Sequence, residues 1–370
     1  MPAKLRAILR REPVLCIAAL LALASMLLVP PSYAYLAYID WKVLGLLFCL
    51  MAVVAGVQAC GLFDVLAQKL LRGCGGLRKL RLMLVLLPFF TSMLITNDVA
   101  LITFVPFAIA VLGAVGRRDQ YIPVIVLQTV AANLGSMALP VGNPQSLFLY
   151  TKSGMGMGEY FGVLGLYVAL SLIGVVALAL AVKETPIEVS FDRTETLKEK
   201  KLLGVYAVLF LLAMLVVLRV LDYRMVTLIV LAALLVFDRK TLGKVDYMLL
   251  LTFICFFIFS GNLGGMESVK AMLTGLLQKN AVLTSALASQ VISNVPAAVL
   301  LSAFTSDLRG LLIGTNLGGM GTIIASLASL ISFKYYLRAE GASAGKYMLH
   351  FTLVNVVGLA LLLAVALVLA

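Results

Sequence analysis

The fold of this chain is decided by the stretch Thr96-Asn97-Asp98-Val99-Ala100 and its counterpart Ser293-Asn294-Val295-Pro296. Each stretch places a polar tip centred on asparagine inside an apolar segment. A glycine-containing interruption follows each of them, in the next apolar segment along the chain. These interruptions are Asn133-Leu134-Gly135-Ser136 with Gly142-Asn143-Pro144, and Asn316-Leu317-Gly318-Gly319. Paired interrupted segments in corresponding halves of a chain are typical of secondary transporters with inverted repeats.

The composition indicates a protein that lies in a membrane. Hydrophobic residues make up 62% of the chain, only 12% of the residues are charged, and the mean hydropathy is +1.09. A soluble domain needs far more polar surface than this. Several apolar stretches approach the roughly 20 residues that span a bilayer as a helix. We therefore expect an all-α polytopic membrane protein embedded in the lipid bilayer.

The net charge of +12 follows topology and does not indicate a nucleic-acid partner. Of the 29 basic residues, 22 fall in six patches: Lys4 to Arg11, Lys69 to Arg81, Arg117-Arg118, Lys183 to Lys201, Arg239 to Lys244, and Lys334 to Lys346. The other seven are spread thinly: Lys42, Lys152, Arg219, Arg224, Lys270, Lys279 and Arg309. The positive-inside rule predicts that the six patches, and with them the N-terminus, are cytoplasmic.

Segment lengths combined with this sidedness predict inverted repeats. Residues 82–116 have basic patches at both ends, and about 35 residues are too many for one crossing and too few for two. The segment must enter and return, as a re-entrant hairpin from the cytoplasm. Residues 280–306 have sparse charge on both sides and predict a second hairpin from outside. Residues 121–151 and 309–333 are then broken helices, and the whole chain has about nine full spans.

The same reading divides the chain into five parts. The ranges are 1–40 for the N-terminal cytoplasmic segment and first span, 41–182 for the first repeat, 183–201 for a cytoplasmic linker, 202–345 for the second repeat, and 346–370 for the last span. The basic start, the short apolar run and Ser32-Tyr33-Ala34 also resemble a cleaved signal peptide. Cleavage would leave the two repeats unchanged.

The hairpin tips have the chemistry of an ion site. Helices that begin near Asn97 and Asn294 would direct N–H groups and partial positive charge at the membrane centre, which suits an anion. Oxygen atoms of Asn, Thr and Ser with unwound carbonyls suit a hard cation, and Asn97 and Asn294 could hold a sodium ion. Asp98 is an acid inside a membrane segment, where charge is costly. It could carry a proton, ligate a cation or join a structural network.

Fourteen residues of these motifs form the predicted substrate and ion site: Thr96, Asn97, Asp98, Asn133, Gly135, Gly142, Asn143, Pro144, Ser293, Asn294, Pro296, Asn316, Gly318 and Gly319. Gln58 and Asn262 occupy matched places in the two halves and could line the site or bridge helices. Gln145 and Ser146, beside the first break, are candidate supporting groups. The alternative is structural, because Asn and Ser in membrane helices often bond neighbouring helices and glycines often mark close packing.

Other chemistry has little support in the sequence. It contains no Walker loop, dinucleotide-binding fingerprint or zinc motif, so no cofactor is expected. An intramembrane enzyme would need a nucleophile–base pair or a metal cluster, and a pure scaffold or receptor would not need duplicated polar breaks. The five cysteines lack a close pairing pattern and are expected to be reduced. We therefore expect a transporter and no enzyme activity.

The four motifs resemble those of the ion transporter superfamily over residues 40–335. This group contains citrate-transporter-like permeases, divalent anion:sodium symporters, arsenite permeases and some sodium/proton antiporters, and the chain is most similar to its small bacterial inner-membrane permeases. The resemblance implies an elevator-type mechanism in a homodimer. A transport domain with both hairpins and both broken helices would slide against a scaffold in the bacterial cytoplasmic membrane.

The tips depart from one branch of this superfamily. In dicarboxylate symporters each tip reads Ser-Asn-Thr and helps to hold sodium and a carboxylate, whereas Asp98 and Val295 occupy the third position here. We expect a secondary active transporter for a small anion or organic acid, coupled to sodium or protons. The alternatives are an ion antiporter or an oxyanion efflux permease, which the Asn-Asp tip resembles. The sequence does not indicate the substrate or the direction of transport.

Overall fold

The apolar segments fold as helices because a backbone buried in lipid must satisfy its polar groups internally. The structure is a computed structural model that describes residues 13–189 and 195–369. Within these ranges there are nineteen α-helices and no β-strand. The predicted all-α class is confirmed.

The first half contains nine helices. They are α1 Pro13–Leu28, α2 Ala34–Tyr38, α3 Trp41–Ala59, α4 Leu62–Leu71, α5 Leu77–Thr91, α6 Asn97–Ala114, α7 Tyr121–Gly135, α8 Pro144–Ser153 and α9 Met157–Leu180.

The second half contains ten. They are α10 Lys200–Val217, α11 Tyr223–Phe237, α12 Arg239–Leu242, α13 Tyr247–Gly264, α14 Glu267–Lys279, α15 Ala281–Ile292, α16 Asn294–Leu301, α17 Leu308–Leu317, α18 Leu327–Tyr336 and α19 Ala344–Leu369.

Seven helical segments of the described chain are long and apolar enough to cross a membrane. They are Trp41–Ala59, Asn97–Ala114, Arg118–Ala138, Met157–Leu180, Lys200–Val217, Tyr247–Gly264 and Ala344–Leu369. Three shorter apolar helices accompany them, at Val14–Leu28, Tyr223–Phe237 and Ala281–Ile292. The chain is therefore a polytopic membrane protein, and the figure of nine spans stays a prediction.

Helices α5 and α6 form a hairpin with its tip near Leu94. The amide of Gln128 on α7 donates to the carbonyl oxygens of Leu84, at 2.9 Å, and Phe104, at 3.3 Å. These two residues lie ten positions before and ten after Leu94, so the two arms run side by side. Helix α5 begins at Leu77, five residues before the predicted start of this hairpin at residue 82.

Helices α15 and α16 form the second hairpin, which turns at Ser293. The two broken helices also have the predicted outline. The first is α7 and α8, separated by two short 3-10 turns at Ser136–Ala138 and Pro140–Gly142. The second is α17 and α18, which are separated by nine residues. The first interruption spans eight residues, so the second is one residue longer, and it contains no 3-10 helix.

Two short helices lie where the sequence analysis predicts no element. In both α4 and α14 an acid stands in the first turn and a lysine in the last, Asp64 with Lys69 and Glu267 with Lys279. These charges complement the helix dipole. Each helix joins a long apolar helix to a hairpin, so α4 and α14 occupy equivalent places in the two halves.

The described basic patches meet at one end of the molecule. Arg117 donates to the Thr185 hydroxyl at 2.6 Å, Arg118 pairs with Glu340 at 2.9 Å, and Arg78 donates to the carbonyl of Val182 at 2.8 Å. These contacts join four of the patches that the sequence assigns to the cytoplasm. The patch Lys4 to Arg11 lies outside the described residues, as does part of the predicted linker 183–201.

Glycine allows the first broken helix to lie directly against the first hairpin. A Cβ atom added at Gly135 would lie 2.2 Å from the carbonyl oxygen of Phe89 on α5. That distance is far below van der Waals contact, and backbone cannot move aside as a side chain can. At Gly174 on α9 no atom lies within 4 Å of an added Cβ.

We predict that Gly135→Ala destabilises the protein by about 1–3 kcal/mol, because α7 must move away from α5. Gly174→Ala is the matched control and should leave stability unchanged or slightly raised, since alanine is the better helix former. Thermal unfolding in detergent measures both. Equal melting temperatures for the two variants would contradict the close approach of α7 and α5.

We also predict that the two hairpins open to opposite sides of the membrane. In a cysteine-free background, Arg118→Cys should react with an impermeant thiol reagent from the cytoplasm and Ser306→Cys from outside. Both positions are exposed, and the surface ion pair lost at Arg118 is worth little. Labelling of both cysteines from the same side would refute the inverted orientation.

Candidate solute and ion site

The two hairpin tips share one local geometry. Helix α6 begins at Asn97 and helix α16 begins at Asn294. In each, the asparagine side-chain oxygen accepts a hydrogen bond from the next backbone N–H, that of Asp98 at 3.1 Å and that of Val295 at 2.9 Å. N–H groups of a first turn have no partner within the helix, so the asparagine supplies one.

The residue before each asparagine differs in conformation. Thr96 has an ordinary extended backbone, whereas Ser293 has φ +72°. A non-glycine residue in a sparsely populated region costs about 1–3 kcal/mol and persists only where its surroundings hold it. Here Ala325 provides the anchor, because its carbonyl oxygen accepts from the Asn294 N–H at 2.9 Å and from the Ser293 hydroxyl at 3.3 Å. The second tip is thus hydrogen-bonded to the second interruption.

The first tip is joined to both interruptions through Asn133. The Asn97 amide donates to the Asn133 side-chain oxygen at 2.9 Å, and the Asn133 amide donates to the carbonyl of Gly319 at 3.3 Å. The hydroxyl of Ser326, which follows the second break, also donates to Asn133, at 3.1 Å. One side chain therefore connects hairpin 1, broken helix 1 and broken helix 2.

A second set of bonds joins the two breaks. The Asn143 amide donates to the side-chain oxygen of Asn316 at 2.9 Å and to the Ser136 hydroxyl at 3.0 Å. The Asn316 amide donates to the Ser146 hydroxyl at 3.0 Å. Asn143 also caps α8, since its side-chain oxygen accepts from the Ser146 N–H at 2.8 Å. All four side chains are buried.

We call these residues the asparagine network. Its members are Asn97, Asn133, Asn143, Asn316, Ser136, Ser146 and Ser326. Buried amides and hydroxyls are costly unless they are paired, and a fully paired network fixes a single arrangement of the helices that carry it. The network therefore holds three elements, the first hairpin and the two broken helices, in one register.

Three predicted glycines occupy positions without room for a side chain. An added Cβ would lie 2.1 Å from the Ser136 carbonyl oxygen at Gly142, and 2.9 Å from the Ala286 Cα at Gly318. At Gly319 it would lie 2.9 Å from the Asn294 amide nitrogen. Glycine here lets backbone lie against the network and against the second tip.

A cavity of about 630 Å³ lies beside the two tips. Thr96 and Asp98 line it from the first tip, Pro296 from the second, and Pro144 from the start of α8. The N-termini of α6, α8 and α16 therefore border one space. Glycines and buried asparagines lie behind this lining. The structure thus brings together residues of all four predicted motifs. Four of the fourteen predicted residues line the cavity, and the others lie in the asparagine network or pack against it or the tips.

Charged groups stand around the same cavity. Asp98 shares it with Lys244, Asp246 and Lys334. In residues 13–189 and 195–369 no side chain forms a salt bridge with the Asp98 carboxylate. Lys244 and Lys334 belong to basic patches that the sequence places in the cytoplasm, so the cavity reaches toward that end of the molecule.

Some contributors were missed by the sequence analysis. Lys244 and Lys334 were interpreted only as topology signals. Gln290, one turn before the second tip, donates to the carbonyls of Gly318 at 2.9 Å and Met320 at 3.0 Å and so ties α15 to the second break. A glutamine within an apolar helix is a signal that could have identified it.

The matched pair Gln58 and Asn262 separates in the structure. Gln58 lines the cavity and donates to the Thr103 hydroxyl at 3.0 Å. Asn262 is buried elsewhere and donates to Ser25 and Tyr35, both at 2.9 Å. Asn262 therefore bridges α13 to the N-terminal helices and has no contact with the site.

Comparison with known proteins is consistent with this geometry. The chain is similar to an uncharacterised transporter of Methanocaldococcus jannaschii, with 30% identity over 89% of this chain and 90% of that protein. It is 30% identical to the inner membrane protein YbiR of Escherichia coli over 80% of each chain. A silicon efflux transporter of Oryza sativa subsp. japonica is 32% identical over 32% of this chain and 24% of its own length.

The profile of one family covers most of the chain. It is described as the citrate transporter family, and it matches residues 5–309. This range includes both hairpin tips, the first broken helix and the beginning of α17, so the expected resemblance to the ion transporter superfamily is confirmed. The chain belongs to the citrate transporter family.

Proposed function

We propose that this transporter is a secondary active permease that moves a small anion or organic acid across the bacterial cytoplasmic membrane, coupled to sodium or protons. One observation carries the proposal. The asparagine network joins the first tip to both interruptions, the second tip is hydrogen-bonded to the second interruption through Ala325, and both tips border one cavity. Interrupted helices at matched places of two repeats are where transporters of this architecture bind solutes and coupling ions.

The electrostatics of the cavity favour an anion. Three helix N-termini border it, and each carries a partial positive charge. Lys244 and Lys334 add full positive charges on the side of the basic patches. The hydroxyl of Thr96 and the tip carbonyls provide the oxygen atoms that a sodium ion requires. We propose Asn97 and Asn294 as the residues that organise these groups.

The network also supports an elevator-type movement. It joins the first hairpin to the two broken helices, and breaking this connection would leave buried amides unpaired. The second hairpin belongs to the same unit because Asn294, Ser293 and Gln290 hydrogen-bond to the second interruption. Helices α3, α10 and α11 pack on one another and contribute no residue to the network. We propose that the networked unit slides against this second group. By resemblance to the superfamily we further propose a homodimer.

A second function is favoured by Asp98. Its carboxylate lies in the cavity wall without an ion-pair partner in the described chain, as expected for a proton or cation carrier. A silicon efflux transporter among the relatives supports efflux as the alternative direction of transport. An ion antiporter or an oxyanion efflux permease is therefore the alternative.

Ligand-induced stabilisation distinguishes these functions. We expect one carboxylate of a panel to raise the melting temperature of the purified protein in sodium but not in potassium, or at one pH but not another. A ligand at 100 times its Kd stabilises the folded state by about 2.7 kcal/mol. Shifts with sodium or pH alone, and none with any anion, would contradict the symporter and favour the antiporter.

Asn97→Ala and Asn294→Ala should each abolish this ligand-induced shift. Both variants disturb the tips, and Asn97→Ala also removes a hydrogen bond from Asn133, at a cost of about 1–3 kcal/mol. Asn262→Ala is the matched control, because it removes a buried asparagine with two hydrogen bonds outside the network. It should lower stability and keep the shift. Normal ligand shifts in both tip variants would refute the site.

Asp98→Asn should change the pH or cation dependence of binding and transport. The substitution keeps the size of the side chain but removes the only acid of the first tip. Asp64→Asn on α4 is the control, since Asp64 is also half-buried but does not line the cavity. Transport at a series of pH values, with and without sodium, measures both variants. An unchanged profile for Asp98→Asn would assign this residue a structural role.

A further inference from the structure

Arg219 has an unfavourable backbone conformation that the proposed site does not explain. In the described chain two residues other than glycine have positive φ, Ser293 at the second tip and Arg219 at +62°. Arg219 follows α10, and the Val220 N–H donates to the carbonyl of Leu215 at 2.8 Å. This bond closes the end of a helix in the pattern where glycine is the usual residue, because other side chains are disfavoured in the left-handed region.

The side chain of Arg219 binds the C-terminal end of α8. Its guanidinium donates to the carbonyls of Gly154 at 2.5 Å, Met155 at 2.9 Å and Tyr150 at 3.5 Å, and it stacks on the Tyr150 ring at 5.3 Å from the centroid. Carbonyls at a helix C-terminus lack partners within the helix and carry partial negative charge. A guanidinium can satisfy several of them at once.

These contacts of Arg219 join two groups of helices. Helix α10, which leads into Arg219, packs on α3 and α11. Helix α8 packs on α16 and α17, and its other end carries Asn143 of the asparagine network.

Two further basic residues on the same side make different contacts. Lys152 on α8 binds Ser302 at the end of α16, and Arg309 binds Glu159 on α9.

Helix α8 also extends from the central cavity, which Pro144 lines, to a second cavity, which Lys152 lines. This second cavity of about 530 Å³ lies at the opposite end of α3 and α13 and is lined by Trp41 and Lys152. Between the two cavities Phe148 of α8 packs on Phe257 of α13, with ring centroids 5.7 Å apart. Both rings are almost fully buried. Phe148 lies two residues before Tyr150, on which Arg219 stacks.

We propose that Arg219 is a positioning residue for transport: by holding the C-terminal end of α8, it keeps the Phe148–Phe257 barrier closed and stabilises the state in which the cavity opens toward Lys244 and Lys334. The proposal rests on the proposed function, because alternating access requires this barrier to open. Movement of α8 away from α10 must break the three carbonyl contacts together. A bound ligand then reaches the other side of the membrane only after the Arg219 guanidinium has dissociated from the carbonyls at the end of α8.

Arg219→Gly tests this role without adding backbone strain. Glycine adopts positive φ readily, so the variant removes the guanidinium and relieves the local strain at once. Ile102→Cys reports the state of the cavity, since Ile102 lines the central cavity and is not among the proposed site residues. The five native cysteines are replaced, and an impermeant maleimide is applied to right-side-out and inside-out vesicles.

With Arg219 present, Ile102→Cys should label faster from the end that bears Lys244. Arg219→Gly should raise labelling from the opposite end by roughly five- to tenfold, as a shifted two-state equilibrium requires. Arg219→Lys should give a smaller rise, because one ammonium cannot reach all three carbonyls. Arg224→Ala is the control and should change nothing, since the Arg224 side chain hydrogen-bonds and stacks only with its neighbour Tyr223 among the described residues.

Unchanged labelling in Arg219→Gly, or equal labelling from both ends with Arg219 present, would overturn the proposal. If Arg219→Gly gives too little protein, the Arg219→Lys result decides in the same way. The assay needs no substrate, so its result can be distinguished from that of the ligand-binding experiment. If Arg219→Gly shifts the accessibility but no ligand stabilises the protein, the solute site is refuted and the role of Arg219 is supported. If a ligand binds but the accessibility is unchanged, only the role of Arg219 is refuted.

Discussion

The hydrogen bond between Asn97 and Asn133, continued to Gly319, is the contact on which the rest of the structure depends. It joins a hairpin of the first half to the broken helices of both halves at the place where each backbone is interrupted. Interruptions expose carbonyl and N–H groups that lipid cannot satisfy. Paired amides make these interruptions tolerable, and the glycines beside them let the chains approach closely enough to pair.

The other features follow from this arrangement. Once the interruptions are held together, the helices that leave them must begin at a common centre, and α6, α8 and α16 do so. Their N-termini then border one cavity, with charged groups from more distant helices around it. Helices α3, α10 and α11 take no part in the network. The boundary between these two groups contains the second cavity and Arg219.

The sequence predicted the fold class, both hairpin tips and the interruptions, because each depends on a local pattern. An asparagine tip within an apolar segment and a basic patch on each flank can be identified without knowing any contact. The start of α5 could not be placed in this way. Arg78 and Arg81 look like residues outside a membrane segment, yet both lie in the helix, where Arg81 is buried and donates to the carbonyl of Leu178 on α9.

The candidate site was predicted only in part for a similar reason. Thr96, Asn97 and Asn294 stand out by residue type, but the pairing of Asn143 with Asn316 depends on how two distant segments pack. The roles of Lys244, Lys334 and Arg219 are likewise tertiary. Each was visible only as one basic residue among 29. The positive φ of Arg219 has no signature in the sequence at all, because any residue can follow the end of a helix.

The composition of the asparagine network has a consequence for ion choice. A carboxamide offers an oxygen to a cation and an NH₂ group to an anion, and half a turn of the side chain exchanges the two. A frame made of amides and hydroxyls can therefore re-pair around an ion of either sign without gaining or losing charge. In such a protein the sign of the transported ion is set by the few charged groups around the cavity, and exchange of one of them could redirect an unchanged scaffold to a different solute.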